Sequence, residues 1–281
     1  MNTTFAAHRP LTSYFVFTFA ISWSAAFAIV APRLLHGEPI PKFSGILMFP
    51  AMLLGPVASG ILMTRLLDGP AGIRKLFSSI VRMRVGIGWY SVLLLPPAAV
   101  LAVLLTLKTF VSPAFAPNHF FLGVVFGIPA GFLEEIGWTG FAFPRMQARL
   151  GTLQAGVLLG LMWSAWHLPV IDFLGAASPH RIYLPLFFLS FATAMTAMRV
   201  LIGWIYENTQ SLLLAQFMHI SSTGALVVFG PFQVTPAQEA AWYFTYGVAL
   251  WIAVAALVAW FGRALCAADL SQKVRPGQEE V

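Results

Sequence analysis

The sequence predicts an all-α, polytopic membrane helix bundle of about eight transmembrane helices, and three observations carry that expectation. Hydrophobic residues make up 59% of the 281 positions and charged residues 9%, with a mean hydropathy of +0.81, against roughly 25% charged residues in an average soluble protein. Apolar runs recur at the length of about 20 residues that a helix needs to cross a hydrocarbon core of about 30 Å. Basic residues fall mainly on alternate loops, as the positive-inside bias demands. No stretch is left over for a soluble domain, so residues 1–281 read as one integral membrane domain.

The first run, Leu11 to Ala31, follows a basic start and contains Ala26-Phe27-Ala28, which resembles a signal-cleavage site. Its apolar stretch continues through Val30, beyond an h-region of about 7 to 15 residues, which predicts a retained span. The second run is Gly45 to Thr64 and the third Trp89 to Phe110. Between them Ile73, Leu76, Phe77 and Ile80 recur at helical spacing beside Arg74, Lys75, Arg82 and Arg84, a pattern that fits either a short interfacial helix or an ordinary basic loop. Five more runs follow: Phe120 to Phe143, Leu153 to Ile171, Tyr183 to Ile205, Ser211 to Phe229 and Ala241 to Phe261. Pro50, Pro56, Pro96, Pro97 and Pro185 lie inside the runs and predict kinked helices. Aromatic pairs such as Trp89-Tyr90, Trp204-Tyr206 and Trp242-Tyr243 mark span ends. The polar tail from Ala267 to Val281 reads as disordered.

Twelve basic residues, among them Arg65, Arg74, Arg82, Arg145 and Arg149, fall on one side, against Arg33, Lys42, Lys108 and Arg181 on the other. This places both termini in the cytoplasm. Arg199 belongs to the first group only loosely, because it lies within the sixth run and must snorkel or pair. A formal charge of +6 spread over inner loops in this way excludes nucleic acid as the partner. The single cysteine, Cys266, excludes an intramolecular disulfide and a cysteine metal site.

Chemistry concentrates between residues 120 and 229. Glu134 and Glu135 are adjacent in an apolar run, and ionisable groups there cost roughly 2.5 to 3.5 kcal/mol each unless they face one another or a watery cavity. Neighbours on a helix point about 100° apart. One carboxylate therefore faces a reacting centre while the other binds a neighbouring helix or orients the first. Gly127, Ala130, Gly131, Gly137 and Gly140 let other helices come close. Later runs bring His167, with Trp163 one turn before it, and His219, with Thr223 one turn after it. Two histidines and a carboxylate are the donor types that hold a catalytic zinc with an open water position. His119 and His180 read as solvated, and His8 and His36 give no signal. No H-E-x-x-H helix, phosphate-binding Gly-rich loop or G-x-S-x-G elbow is present.

The order Glu134-Glu135, Trp138-x-Gly140-Phe141, Pro144-Arg145, then an aromatic four before His167, then His219, resembles the CPBP family of membrane endopeptidases, the CAAX protease and bacteriocin-processing (ABI) group. The stretch Asn208-Thr-Gln-Ser-Leu-Leu resembles the family's lead into its last motif. The family motifs are Glu-Glu-x-x-x-Arg, Phe-x-x-x-His and His-x-x-x-Asn. Here Thr139 replaces Arg, Trp163 replaces Phe, and Thr223 replaces Asn.

The resemblance implies a glutamate-dependent, metal-assisted endopeptidase that cuts a peptide or membrane-associated protein in contact with membrane lipid; the compact chain suggests a bacterial plasma membrane, with the eukaryotic ER as the alternative. Glu134 would be the general base and Glu135 its positioning or charge-balancing partner. His167, His219 and Thr223 would complete the catalytic set, with Glu134, His167 and His219 as ligands of a zinc ion, or the same side chains would serve a metal-free glutamate mechanism. Two other readings stay open. A proton-coupled transporter could use the same groups as a relay, and a catalytically inactive membrane scaffold would account for Thr139 and Thr223. One expectation conflicts with the peptidase: by counting, Glu134 lies toward the inner side of its span and His167 near the outer end of the next, unless the helices tilt or break, as Pro144 and Pro169 would permit.

Overall fold

A computed structural model describes residues 8–266. The tail from Ala267 to Val281 lies outside the described residues. Helices α1 (Pro10–Leu35), α2 (Lys42–Met52), α3 (Leu54–Ile80) and α4 (Leu95–Phe110) form the first half, α4 being led in by short helical turns over residues 88–94. The second half comprises α5 (Val124–Gly137), α6 (Phe143–Leu150), α7 (Thr152–Trp166), α8 (Leu184–Thr209), α9 (Leu212–Phe229) and α10 (Pro236–Phe261). The described residues contain no β-strand. Seven helical stretches among them are long and apolar enough to cross a membrane, and the protein is an all-α, multi-pass membrane protein.

The fifth predicted run behaves differently from the others. Its helix, α7, has 15 residues, about 22 Å at 1.5 Å per residue, and the chain then turns into a tight 3-10 stretch, Leu168–Phe173. A full crossing needs about 20 residues, so α7 stops short. His167 caps its end, and it lines the same cavity as Glu134. Simple counting missed the shortening because the apolar character runs on through Ile171 while Pro169 has no amide proton to extend an α-helix.

Proline placement also differs from the expectation. Pro96, Pro97 and Pro185 fall in the first turns of their helices, where the missing N–H has no intrahelical partner to lose. They start helices and do not kink them. The pronounced bend in α3 lies at Gly69, with φ 64° and ψ −159°, just before Pro70. The basic segment over residues 73–80 is therefore helical and continues the second span across that bend.

Packing is organised around α8. Every residue from Ala194 to Ile205 is buried, the signature of a helix surrounded on all sides. It packs extensively on both α7 and α10, while α5 packs on α9. Small residues set these distances. A Cβ at Gly160 of α7 would stand 2.6 Å from the Cα of Thr196 on α8, and a Cβ at Gly131 of α5 would stand 2.7 Å from the backbone oxygen of Gln216 on α9. Both are closer than a methyl group can approach, so the bare backbones make the contact. Ala26 and Val30 of α1 are fully buried in the same core.

Candidate active site

The α5 helix delivers its two carboxylates to different neighbours because consecutive residues diverge by about 100°. Both are fully buried. The Oε2 atom of Glu134 accepts hydrogen bonds from two indoles, Trp138 Nε1 at 3.1 Å and Trp163 Nε1 at 2.6 Å. Its Oε1 has no hydrogen-bond partner among the described residues, and Glu134 lines a cavity of about 380 Å³. An unpartnered buried carboxylate oxygen at a cavity wall is suited to hold water or substrate.

Glu135 is saturated instead. Arg199, from the centre of α8, grips it with both terminal nitrogens, Nη1 to Oε2 at 2.7 Å and Nη2 to Oε1 at 2.8 Å. The Thr139 hydroxyl, one turn along, donates to Oε2, and His219 Nδ1 donates to Oε1 at 2.7 Å. Bidentate, charge-assisted pairing of this kind is among the stronger polar contacts a protein makes. Immediately after this pair the backbone loosens into a π-turn, Trp138–Ala142, a feature frequent at functional sites.

The histidines arrive from α7 and α9. His167 Nδ1 lies 2.8 Å from the carbonyl oxygen of Trp163, which can only accept, so the proton sits on Nδ1. His219 donates its Nδ1–H in a hydrogen bond to Glu135. Both Nε2 atoms are thereby released for other partners, and both residues line the cavity, as does half-buried Thr223. The Trp163 ring sits between the imidazoles, 5.6 Å from His167 and 5.0 Å from His219 by centroids. Four of the five candidate residues, Glu134, His167, His219 and Thr223, thus share one cavity. Glu135 stands behind it, against His219.

Imidazoles whose Nδ1–H is committed to a carbonyl or carboxylate have the outer-shell support typical of metal ligands. The donor chemistry suits zinc, yet no group of three His, Cys, Asp or Glu side chains among the described residues is placed to hold a metal ion. Among the described residues, the expected set of Glu134, His167 and His219 does not come together as a three-ligand site.

Sequence reasoning missed the far wall of the cavity, which includes Lys42, Phe49, Glu239 and Tyr243 from outside residues 120–229. It required Arg199 to snorkel or pair without naming Glu135 as its partner. His180, read as solvated, is fully buried. Its Nδ1 is 2.8 Å from Asp172 Oδ1 and its Nε2 is 3.3 Å from Glu239 Oε2, and its ring stacks on Phe187. The loop between Asp172 and His180 forms part of the cavity wall and needs anchoring. Glu239 accepts from the amides of Ala176 and Ala177, and Lys42 Nζ donates to the carbonyls of Gly175 and Ala176. Burial pulls the His180 pKa down, but the two carboxylates outweigh it and hold it above its usual value near 6.5.

Comparison with known proteins bears on this same region. Residues 116–225 match the family model "Type II CAAX prenyl endopeptidase Rce1-like", a span that includes all five candidate residues. The CAAX prenyl protease 2 of Methanococcus maripaludis is 30% identical over 138 residues, covering 45% of this chain and 51% of that protein. The chain spans about half the length of this curated relative.

Proposed function

We propose that the chain, whose residues 116–225 match the type II CAAX prenyl endopeptidase Rce1-like family model, is an intramembrane endopeptidase using Glu134 as its general base. The observation that carries the proposal is the asymmetry of Glu134, with Oε2 clamped by two indole donors and Oε1 unpartnered, on a residue that lines a cavity with two histidines.

In this reading a water molecule donates one hydrogen to Glu134 Oε1 and the other to the Nε2 lone pair of His167. Glu134 takes the first proton as the water oxygen attacks the scissile carbonyl. The Thr223 hydroxyl, which lines the cavity with His219, donates to the oxyanion that develops. Glu134 then returns its proton to the departing amine, leaving a carboxylic acid and a free amine. Glu135 takes no part in proton transfer, because its lone pairs are already occupied by Arg199, Thr139 and His219. The apolar walls exclude bulk water, which strengthens each of these interactions.

The substrate is a peptide or membrane-associated protein, and the name of the relative brings prenylated CAAX peptides to the front of the candidates. The test compares purified wild type with Glu134→Ala in detergent, each with and without a chelator, on a peptide library that contains prenylated CAAX sequences. Cleavage products detected by mass spectrometry for wild type alone are the expected result. A folded wild type that cuts nothing in the library would overturn the proposal in favour of transport or a scaffold.

A further inference from the structure

The Glu135 carboxylate is bound by a guanidinium that comes from a different helix and lies outside every motif noted in the sequence. Resting on the peptidase reading above, we propose that Arg199 is the positioning residue of this site, a single buried cation that holds both carboxylates in working geometry. Arg199 touches no reacting atom, so it acts through two arms.

The first arm is the two-point grip on Glu135 at 2.7 and 2.8 Å. It fixes the plane of the carboxylate, and Oε1 in that plane receives His219 Nδ1 at 2.7 Å. The orientation of the imidazole, and the release of its Nε2 toward the cavity, follow from where Arg199 holds Glu135. The second arm is a stack: the Arg199 guanidinium carbon lies 4.3 Å from the centroid of the Trp163 ring. Trp163 is the closer of the two indole donors to Glu134. One planar cation therefore braces the base on one side and the imidazole on the other. Only a guanidinium can do both, since an ammonium has neither the fork for bidentate pairing nor the flat face for stacking.

Thr139 explains why the cation can come from α8. Its hydroxyl lies 3.4 Å from Arg199 Nη1 and donates to the same Glu135 oxygen. A short side chain at this position leaves room for the guanidinium, whereas a long one at 139 would occupy the same space. The two positions are alternative origins for one charge, and this makes the proposal testable by relocation.

The experiment measures kcat and KM for peptide cleavage by wild type, Arg199→Met, Arg199→Lys and the double variant Arg199→Met/Thr139→Arg, with melting in detergent recorded for each. A misplacement near 1 Å is worth about 100-fold in rate, so Arg199→Met should lose roughly that factor in kcat with KM within about threefold. Arg199→Lys should fall between it and wild type. The double variant should regain kcat to within about tenfold of wild type, on the same scale of positioning effects. A structural role alone would predict that melting and activity fall together without a split between kcat and KM. Arg199→Met cleaving at the wild-type rate, or a folded double variant and a folded Arg199→Lys both without measurable kcat, would overturn the inference alone. Absence of cleavage by wild type would remove the peptidase reading and this inference with it. Should Arg199→Met fail to fold, the double variant and Arg199→Lys decide the question.

Discussion

Replacing Trp163 by Phe removes one hydrogen bond from the candidate base while leaving most of an aromatic ring in place. Trp163 Nε1 lies 2.6 Å from Glu134 Oε2, against 3.1 Å for Trp138 Nε1, so Trp163 is the tighter of the two clamps. Phenylalanine keeps an aromatic wall beside His167 and His219 and a face for Arg199. A hydrogen bond to a charged group contributes about 1.5 to 3 kcal/mol. At 1.36 kcal/mol per tenfold in rate, its loss from the transition state corresponds to about 10- to 150-fold in kcat. The effect should fall on kcat because the clamp holds Glu134 and does not touch the part of the cavity farther from it. The assay is steady-state cleavage of the best peptide from the library, with melting in detergent as a control. A folded Trp163→Phe whose kcat stays within about threefold of wild type, well under the loss expected for a charge-assisted bond, would refute the claim that the indoles orient Glu134.

Trp138→Phe should have the smaller kinetic effect of the two indole substitutions and the larger effect on melting, since Trp138 is fully buried against Tyr14 and Trp166; the reverse ranking would argue against the distances. Gly137→Ala should destabilise by about 1 to 3 kcal/mol through overpacking, because its Cβ would collide with the backbone oxygen of Pro56 and the hydroxyl of Tyr14. An unchanged melting temperature in detergent would show that α3 and α5 can separate without cost. For the loop under Glu239, the sign follows from the raised pKa of His180. Its charged form contributes fully below its unfolded value near 6.5, and the contribution is lost as pH rises through the higher folded value. The melting difference between wild type and His180→Gln should therefore be largest in mildly acidic buffer and shrink as the buffer becomes alkaline, and a difference independent of pH would count against the ion pairs.

Composition and periodicity carried the membrane fold, because the lack of hydrogen-bonding partners in hydrocarbon leaves an apolar chain of this kind little choice but helices. They also marked the candidate site, since ionisable groups such as Glu134, Glu135, His167 and His219 are costly inside apolar runs. The adjacency of the two carboxylates on one helix already separated their directions. What each direction meets was decided elsewhere. That Glu134 faces two indoles and a cavity, and that Glu135 faces Arg199, depends on how α5, α7, α8 and α9 lie against one another, contacts between residues up to 84 positions apart. Pro169 allowed for a break at the end of α7, but the loop held by Lys42, Glu239 and His180 was invisible, because two charges at span edges say little until their neighbours are known. Local propensity is written in runs of adjacent residues, whereas a site in a helical bundle is assembled from single residues on separate helices. The sequence alone could name the chemical groups, and only the packing of bare backbone at Gly131 and Gly160 decided which of them meet.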